Sequence, residues 1–136
     1  MNILIIDGQG GGIGRQLIEN IKKCLPEHQI TAIGTNVLAT QAMLKAGADY
    51  AATGENAVIV NSKKADLIIG PIGIVIADSL LGEITAQMAT AIGQSNAYKI
   101  LLPMNLCNNY IAGIQNFNTS LLIEDCIIKI KNLTEK

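Results

Sequence analysis

Aromatic residues and an excess of positive charge are both missing from this chain of 136 residues. It has no tryptophan, one phenylalanine and three tyrosines, so few rings are present on which nucleotide bases could stack. Lysine and arginine number 10 against 11 acidic residues, a net charge of −1. That balance leaves no basic surplus to hold a phosphate backbone. We therefore expect no nucleic-acid partner.

Metal ligands are also scarce. The three cysteines, Cys24, Cys107 and Cys126, are far apart, make no CxxC pair, and share the chain with a single histidine. These spacings match no zinc pattern, so we expect no metal and interpret the thiols as reduced, as in the cytoplasm. Cys24 and Cys126 are expected on the core faces of helices. Cys107 lies in a polar loop, and no base can be named that would activate it as a nucleophile.

No apolar run is long enough to cross a bilayer. The longest, residues 68–77, is broken by Gly70, Pro71 and Gly73, whereas a spanning helix needs about 18 apolar residues. Met1 and Asn2 lead into an apolar segment without a preceding basic residue, so we expect no signal peptide. The sequence predicts a cytoplasmic protein with no membrane partner.

Charged residues make up only 15% of the chain, while 49% is hydrophobic. An average domain is about 25% charged, so the deficit favours apolar surface that a second copy covers. The segments 74–81 and 121–130 are the candidates for this surface. We expect a homo-oligomer, either a dimer or a tetramer.

Strand and helix patterns alternate along the chain. Short apolar segments predict strands, and segments with helical spacing of apolar residues separate them. Such alternation predicts an α/β fold, a Rossmann-like three-layer α/β/α domain spanning 1–136, with a parallel sheet of five or six strands. The strands are expected at 2–6, 29–34, 48–52, 66–70 and 99–102, with 110–114 as a strand or a turn. The helices are expected at 13–24, 36–46, 56–62, 86–92 and 121–133, with 73–84 as a helix or helical turns.

A glycine-rich stretch follows the first predicted strand. Five of the seven residues from Gly8 to Gly14 are glycine, and a predicted helix begins at residue 13. Glycine permits a sharp turn and a close approach to the backbone, and a helix N-terminus offers free N–H donors to a phosphate. The loop could instead serve only tight packing of helix against strand. We favour phosphate binding, because packing explains one glycine more readily than five.

The spacing within this loop resembles the G-x-x-x-G-I-G turn of short-chain dehydrogenases, with Gly8, Gly12, Ile13 and Gly14 in register. The resemblance covers roughly the first 25 residues. It implies that Gly8 begins the turn, that Gly12 lets a cofactor pyrophosphate approach, and that Gly14 permits close packing. The catalytic Tyr-x-x-x-Lys pair of those enzymes is missing, because no tyrosine of this chain has lysine four residues on.

Over its whole length the chain resembles an uncharacterised family of short bacterial proteins that open with an Asp-Gly-Gln-Gly-Gly-Gly loop. The Gly-Glu-Ile-Thr stretch at 82–85 and the asparagine-rich segment at 105–109 also match that family. The resemblance implies a self-standing Rossmann-like unit and brings no assigned activity.

Ligands of open parallel sheets bind at the carboxyl ends of the strands, and the loops expected there are small, polar and mostly uncharged. They suit a nucleotide or dinucleotide, NAD or another, as the bound small molecule. No acid follows the second strand to bind a ribose. Thr35 and Asn36 either contact the ligand or form the N-cap of the second helix, and the loop asparagines are either ligand donors or left-handed turn residues. The candidate binding residues are Gly8, Gln9, Gly10, Gly11, Gly12, Ile13, Gly14, Thr35, Asn36, Gly70, Gly73, Asn105 and Asn108.

Four acids could approach this edge: Asp7, Glu55, Asp78 and Glu83. For Asp78 and Glu83, surface or interface charge is the favoured interpretation over metal ligation or proton transfer. Two functions compete with simple nucleotide binding. One is a nucleotide-dependent reductase or transferase whose site is shared between subunits. The other is an interaction protein with a vestigial loop.

Overall fold

A computed structural model describes residues 1–104, 106, 108–114 and 118–135. In this part of the chain the strands are β1 (Asn2–Asp7), β2 (Gln29–Gly34), β3 (Tyr50–Thr53), β4 (Leu67–Pro71) and β5 (Tyr98–Leu102). The helices are α1 (Gly12–Cys24), α2 (Val37–Lys45), α3 (Glu55–Ser62), α4 (Ala86–Gln94) and α5 (Thr119–Thr134). A 3-10 helix, Ile72–Val75, directly follows β4.

The strands form one parallel sheet in the order β3-β2-β1-β4-β5. From β1 the chain adds β2 and β3 on one side and then crosses over to β4 and β5 on the other. The direction of winding therefore reverses between β1 and β4. In open sheets this switch point leaves a crevice at the carboxyl ends of the strands. The predicted Rossmann-like α/β fold is confirmed, with five strands.

Helices cover both faces of the sheet, because successive side chains of a strand point to opposite faces. In β1, Ile3 and Ile5 pack in a core with α1, α2 and α5. Leu4 and Ile6 pack in a second core with α3 and α4. All four are buried. The central strand is therefore apolar along its length, as expected for a parallel strand covered on both sides.

Two segments for which the sequence left alternatives open each take one of the predicted forms. Residues 110–114, a strand or a turn in the sequence, contain a turn with Gly113 in the left-handed region at φ 86°. The segment 73–84 is the 3-10 helix followed by turns. Helix α4 extends past its predicted end at residue 92 to Gln94. Gly93 is not left-handed, so it does not end the helix.

Most of the apolar segment expected to cover a partner is buried within the chain itself. Ile74, Leu80 and Ile84 are at most 2% exposed and pack in the core with α4. Leu81 is 97% exposed and Ala77 is also exposed, while Val75 and Ile76 are partly buried. The apolar surface predicted between 74 and 81 is therefore smaller than expected, and its exposed residues are Ala77 and Leu81. On α5, Leu121 and Ile128 are exposed.

Cys24 is exposed, whereas Cys126 is buried. The core position expected for Cys24 is therefore wrong. It is the last residue of α1, and the neighbouring Leu25 fills the core there instead. Among the described helices, none has the length and apolar character that crossing a membrane requires.

Candidate functional site

The glycine-rich loop lies where the sequence places it, at the carboxyl end of β1 next to the switch point. A backbone hydrogen bond from Gly11 N–H to Gly8 C=O, 2.9 Å long, closes the turn. Gln9 and Gly11 are both left-handed, at φ 50° and 71°, and Gly11 is the N-cap of α1. The turn therefore leads from the central strand directly into the N-terminus of the helix.

The side chain of Asp7 holds the glycine loop through hydrogen bonds to its backbone. Its carboxylate accepts hydrogen bonds from Gly8 N–H at 2.8 Å and Gly14 N–H at 2.7 Å. The side chain is buried, and desolvation raises its pKa, against the opposing effect of hydrogen bonds from Gly14, Gly8 and Ile13. The charge of Glu83 raises the pKa further. Asp7 thus occupies N–H groups that a bound phosphate would otherwise use.

Protein atoms fill the space beside three of the five loop glycines. A Cβ on Gly8 would lie 2.7 Å from Glu83 Oε1, and one on Gly11 would lie 2.8 Å from the Ala39 backbone. On Gly14 it would collide with the Met43 side chain and Asp7. All three glycines are buried. Packing therefore accounts for more of the loop than the sequence suggests.

Gly10 and Gly12 are different. Both are exposed, and a Cβ built on either would meet no atom within 4 Å. Neither lies in the left-handed region, so backbone conformation does not require glycine there either. No described residue accepts a hydrogen bond from either N–H group. These two glycines leave backbone donors open to solvent at the positive end of α1.

Glu83 reaches the loop from a distant part of the chain. Its Oε1 accepts hydrogen bonds from Gln9 N–H and Thr35 Oγ1, both 2.7 Å long, and its Oε2 accepts one from Asn36 Nδ2 at 3.2 Å. Desolvation raises the pKa of Glu83, but these hydrogen bonds outweigh it and hold the pKa below its ordinary value. Glu83 is partly exposed, so the favoured interpretation as a surface charge is not contradicted, but its carboxylate also accepts hydrogen bonds from donors of the same chain. Its carboxylate bridges the loops that follow β1 and β2.

Thr35 and Asn36 stand directly after β2. Asn36 is the N-cap of α2, since its Oδ1 accepts a hydrogen bond from Ala39 N–H at 2.9 Å. Its Nδ2 also donates to Gln9 C=O at 2.8 Å. Thr35 contacts Glu83 instead of capping the helix. The structure thus brings both residues to the glycine loop, where their side chains form hydrogen bonds with other residues of the chain.

Four predicted site residues belong to neither the glycine loop nor the loop after β2: Gly70, Gly73, Asn105 and Asn108. Gly70 and Gly73 are buried, and a Cβ on Gly70 would collide with the Ile6 carbonyl of the neighbouring strand. Asn108 is exposed and left-handed at φ 67°, as in one of its two interpretations. Asn105 and Cys107 lie outside the described residues.

The remaining acids divide between this edge and the surface. Glu55 Oε1 accepts a hydrogen bond of 2.6 Å from Thr85 Oγ1, which caps α4. Asp78 is exposed, with its backbone left-handed at φ 66°. Within the described part of the chain, Asp7 and Glu83 form no ion pair, and no group of three or more potential ligands could hold a metal ion. The edge is therefore polar with net negative charge.

A cavity of about 500 Å³ lies elsewhere, in the groove between α3 and α4. Ile59, Lys63 and Gln87 are among its lining residues, and none of them belongs to the glycine loop. We place the candidate site at the loop, because open backbone donors and the switch point coincide there. The Glu83 carboxylate occupies the space beside Gly8.

A family profile described as "Domain of unknown function (DUF3842)" matches residues 2–135. The chain belongs to this family. The predicted membership of an uncharacterised family is thereby confirmed, and DUF3842 carries no assigned activity in that description. A search of curated proteins gave no match.

A solved structure similar to this DUF3842 chain is that of a dodecameric FMN-dependent UbiX-like decarboxylase from Escherichia coli O157:H7. The TM-score is 0.51 and the sequence identity 14%, over 97% of this chain and 75% of the decarboxylase chain. At that identity the likeness shows the fold alone. It agrees with the Rossmann-like topology found here.

Proposed function

We propose that this protein binds a nucleotide-type small molecule, with a phosphate of the ligand at the N–H groups of Gly10 and Gly12. The carrying observation is that these two glycines are exposed, have empty space beside them and are free of any conformational need for glycine. Packing explains the other three loop glycines but not these. The absence of a Cβ at such positions lets a phosphate approach the backbone closely.

The position of the loop supports the same assignment. Gly10 and Gly12 lie at the carboxyl end of β1, where the sheet order reverses toward β4, and ligands of open α/β sheets bind at this point. The glycine spacing resembling that of short-chain dehydrogenases also assigns Gly12 to the pyrophosphate. The structurally similar decarboxylase is FMN-dependent, so FMN joins NAD among the nucleotides to be tested.

Basic residues contribute little to this site. Arg15, close to the loop on α1, pairs with Glu19 at 3.1 Å on an exposed surface. The described carboxylates at this edge are Asp7, Glu55 and Glu83. Binding would then depend on backbone and hydroxyl donors, and we expect modest affinity for a highly charged ligand.

A thermal-shift screen with a matched pair of glycine variants tests the proposal. The probes are FMN, NAD, NADP, FAD, ATP and coenzyme A, added to wild type, Gly12→Val and Gly93→Val. Gly93 is the control, because it is also exposed, without contacts beside it and outside the left-handed region. We expect at least one probe to raise the Tm of wild type and Gly93→Val, and Gly12→Val to lose the rise while keeping its own Tm.

Absence of any shift with all six probes would contradict nucleotide binding. An equal shift in Gly12→Val would move the site away from the loop. If the loop is vestigial and the protein acts only through interactions, none of the six probes should raise the Tm. The shared-site enzyme predicts binding together with contacts between subunits at the loop.

We also propose that the protein is a homo-oligomer. Exposed aliphatic side chains support this, among them Leu81 at 97%, Leu38 at 72% and Leu121 at 64% exposed. The structurally similar decarboxylase is a dodecamer. Sedimentation velocity that gave a single monomeric species at micromolar concentration would contradict this proposal.

A further inference from the structure

The Glu83 carboxylate sits in a cradle of three hydrogen-bond donors. These are a backbone N–H from the glycine loop (Gln9), a hydroxyl (Thr35) and a side-chain amide (Asn36), at 2.7, 2.7 and 3.2 Å from the carboxylate oxygens. The donors come from two different loops, and all three face one carboxylate. Neutral donors that converge in this way are suited to an oxyanion.

Gly8 is shaped for this carboxylate. A Cβ there would lie 2.7 Å from both Glu83 Oε1 and Thr35 Oγ1. Gly8 is outside the left-handed region, so the occupied space, and not the conformation of the turn, requires glycine. Leu80 Cδ1 would also lie 2.9 Å from this Cβ, so the first glycine of the loop makes room for the Glu83 carboxylate together with its neighbours Thr35 and Leu80.

The segment that carries Glu83, residues 78–84, is held in an unusual conformation. Asp78, Leu80 and Leu81 are left-handed at φ 66°, 55° and 58°, a region that residues with a Cβ disfavour. Two backbone hydrogen bonds, Asp78 N–H to Ile84 C=O at 2.7 Å and Ile84 N–H to Ser79 C=O at 3.2 Å, close its base. Leu80 is buried at 2% exposure. These hydrogen bonds and the burial of Leu80 hold the backbone on either side of Glu83.

We propose that the Gln9–Thr35–Asn36 cradle is an oxyanion subsite, and that Glu83 is a built-in competitor that a phosphate group of the ligand displaces. The cradle donor Gln9 directly precedes Gly10 in the loop, and in this proposal one ligand uses both sets of donors. This inference rests on the proposed function for the identity of the ligand. It adds a second phosphate-binding position and an autoinhibitory contact that must open before the ligand binds.

Calorimetric titration with two probes, inorganic phosphate and FMN, tests this competition. The proteins are wild type, Glu83→Ala, Glu83→Gln and the control Glu124→Ala, which removes the same charge from an exposed position on α5. Because the competing carboxylate is gone, we expect Glu83→Ala to bind phosphate at least about tenfold more tightly than wild type. Glu124→Ala should match wild type. Adding Thr35→Val to Glu83→Ala should remove the gain, since valine keeps the shape and lacks the hydroxyl donor.

Equal or weaker phosphate binding by Glu83→Ala with a native circular dichroism spectrum overturns the inference. If Glu83→Ala fails to fold, the phosphate affinity of Glu83→Gln is compared with that of wild type instead, because the amide keeps the size of the side chain and removes its charge. Equal or weaker phosphate binding by Glu83→Gln then overturns the inference.

FMN separates this result from the proposed function. Wild type that binds FMN, together with Glu83→Ala no tighter for either probe, refutes the competitor and leaves nucleotide binding intact. Tighter phosphate binding by Glu83→Ala without FMN binding by any variant keeps the cradle and counts against FMN as the nucleotide. No phosphate binding by Glu83→Ala at millimolar concentration overturns the cradle, whatever FMN does.

Discussion

Replacing Gly8 with alanine should destabilise the protein by driving Glu83 out of its cradle. The new Cβ would lie 2.7 Å from Glu83 Oε1, well inside ordinary contact. Relief requires the carboxylate to leave Gln9, Thr35 and Asn36. A hydrogen bond to a charged group contributes about 1.5–3 kcal/mol. Glu83 is half-buried, and water can replace part of the loss, so we expect a total cost of about 2–4 kcal/mol.

A double-mutant cycle isolates this mechanism. Urea unfolding of wild type, Gly8→Ala, Glu83→Ala and the double variant gives four free energies of unfolding. With Glu83 removed, the Cβ still meets Thr35 Oγ1 at 2.7 Å and Leu80 Cδ1 at 2.9 Å, so Gly8→Ala should then cost less than in wild type, about 1–2 kcal/mol. The Tm of the Gly8→Ala variant alone should fall by about 6–15 °C. An equal cost of Gly8→Ala in both backgrounds would refute the contact with Glu83 as the reason for glycine at this position.

Three further predictions follow from burial and backbone conformation. Gly11→Ala should lower the free energy of unfolding by about 2–4 kcal/mol, because alanine would be left-handed there and its Cβ would also press on the α2 backbone. Gly10→Ala should change that free energy by no more than about 0.5 kcal/mol. Equal midpoints of urea unfolding for the two variants would contradict this. Burial, and then the charge of the N-terminal amine, lower the pKa of His28 against the opposing charge of Glu27. The unfolded chain therefore binds the proton first as pH falls below about 7, so wild type should lose stability between pH 7.5 and 5.5 more than His28→Gln does, and parallel pH profiles would contradict it. Iodoacetamide should label exposed Cys24 in the native protein but not Cys126, whose pKa burial raises to about 11; peptide mapping that found both labelled would show that the core opens.

The sheet could be predicted because its strands are short apolar segments between turn residues. β1 and β4 carry continuous aliphatic runs that only a doubly covered parallel strand accommodates. Asn36 and Thr85 stand at the helix starts, where their side chains cap the backbone. Local signals of this kind depend on near neighbours in sequence, so the sequence alone reveals them.

The position of Glu83 could not be predicted in the same way. It depends on left-handed backbone at Asp78, Leu80 and Leu81, and leucine gives no sequence signal for that conformation. Asp78, Ser79 and Gly82 are residue types that suggest a turn, but they do not indicate where the Glu83 side chain goes. The contact with Gln9 spans 74 positions of sequence and depends on tertiary packing, including the burial of Leu80 in the core.

The different surroundings of the five loop glycines could not be predicted from the sequence either. Gly8, Gly11 and Gly14 face Glu83, Ala39 and Met43, which belong to other parts of the chain. The sequence shows five glycines and cannot tell a crowded one from an open one. Gly10 and Gly12 stand out only when the space beside each is measured.

The amide resonances of the loop glycines test the central claim most directly. In ¹⁵N–¹H correlation spectra of wild type titrated with FMN, and separately with NAD, the claim predicts that Gly10 and Gly12 shift most for at least one of the two nucleotides. Gly93 should stay fixed, since it is on α4 and away from the loop. Shifts confined to the α3–α4 groove around Lys63 and Gln87, or no shifts with either nucleotide or with the four other probes of the thermal-shift screen, would contradict it.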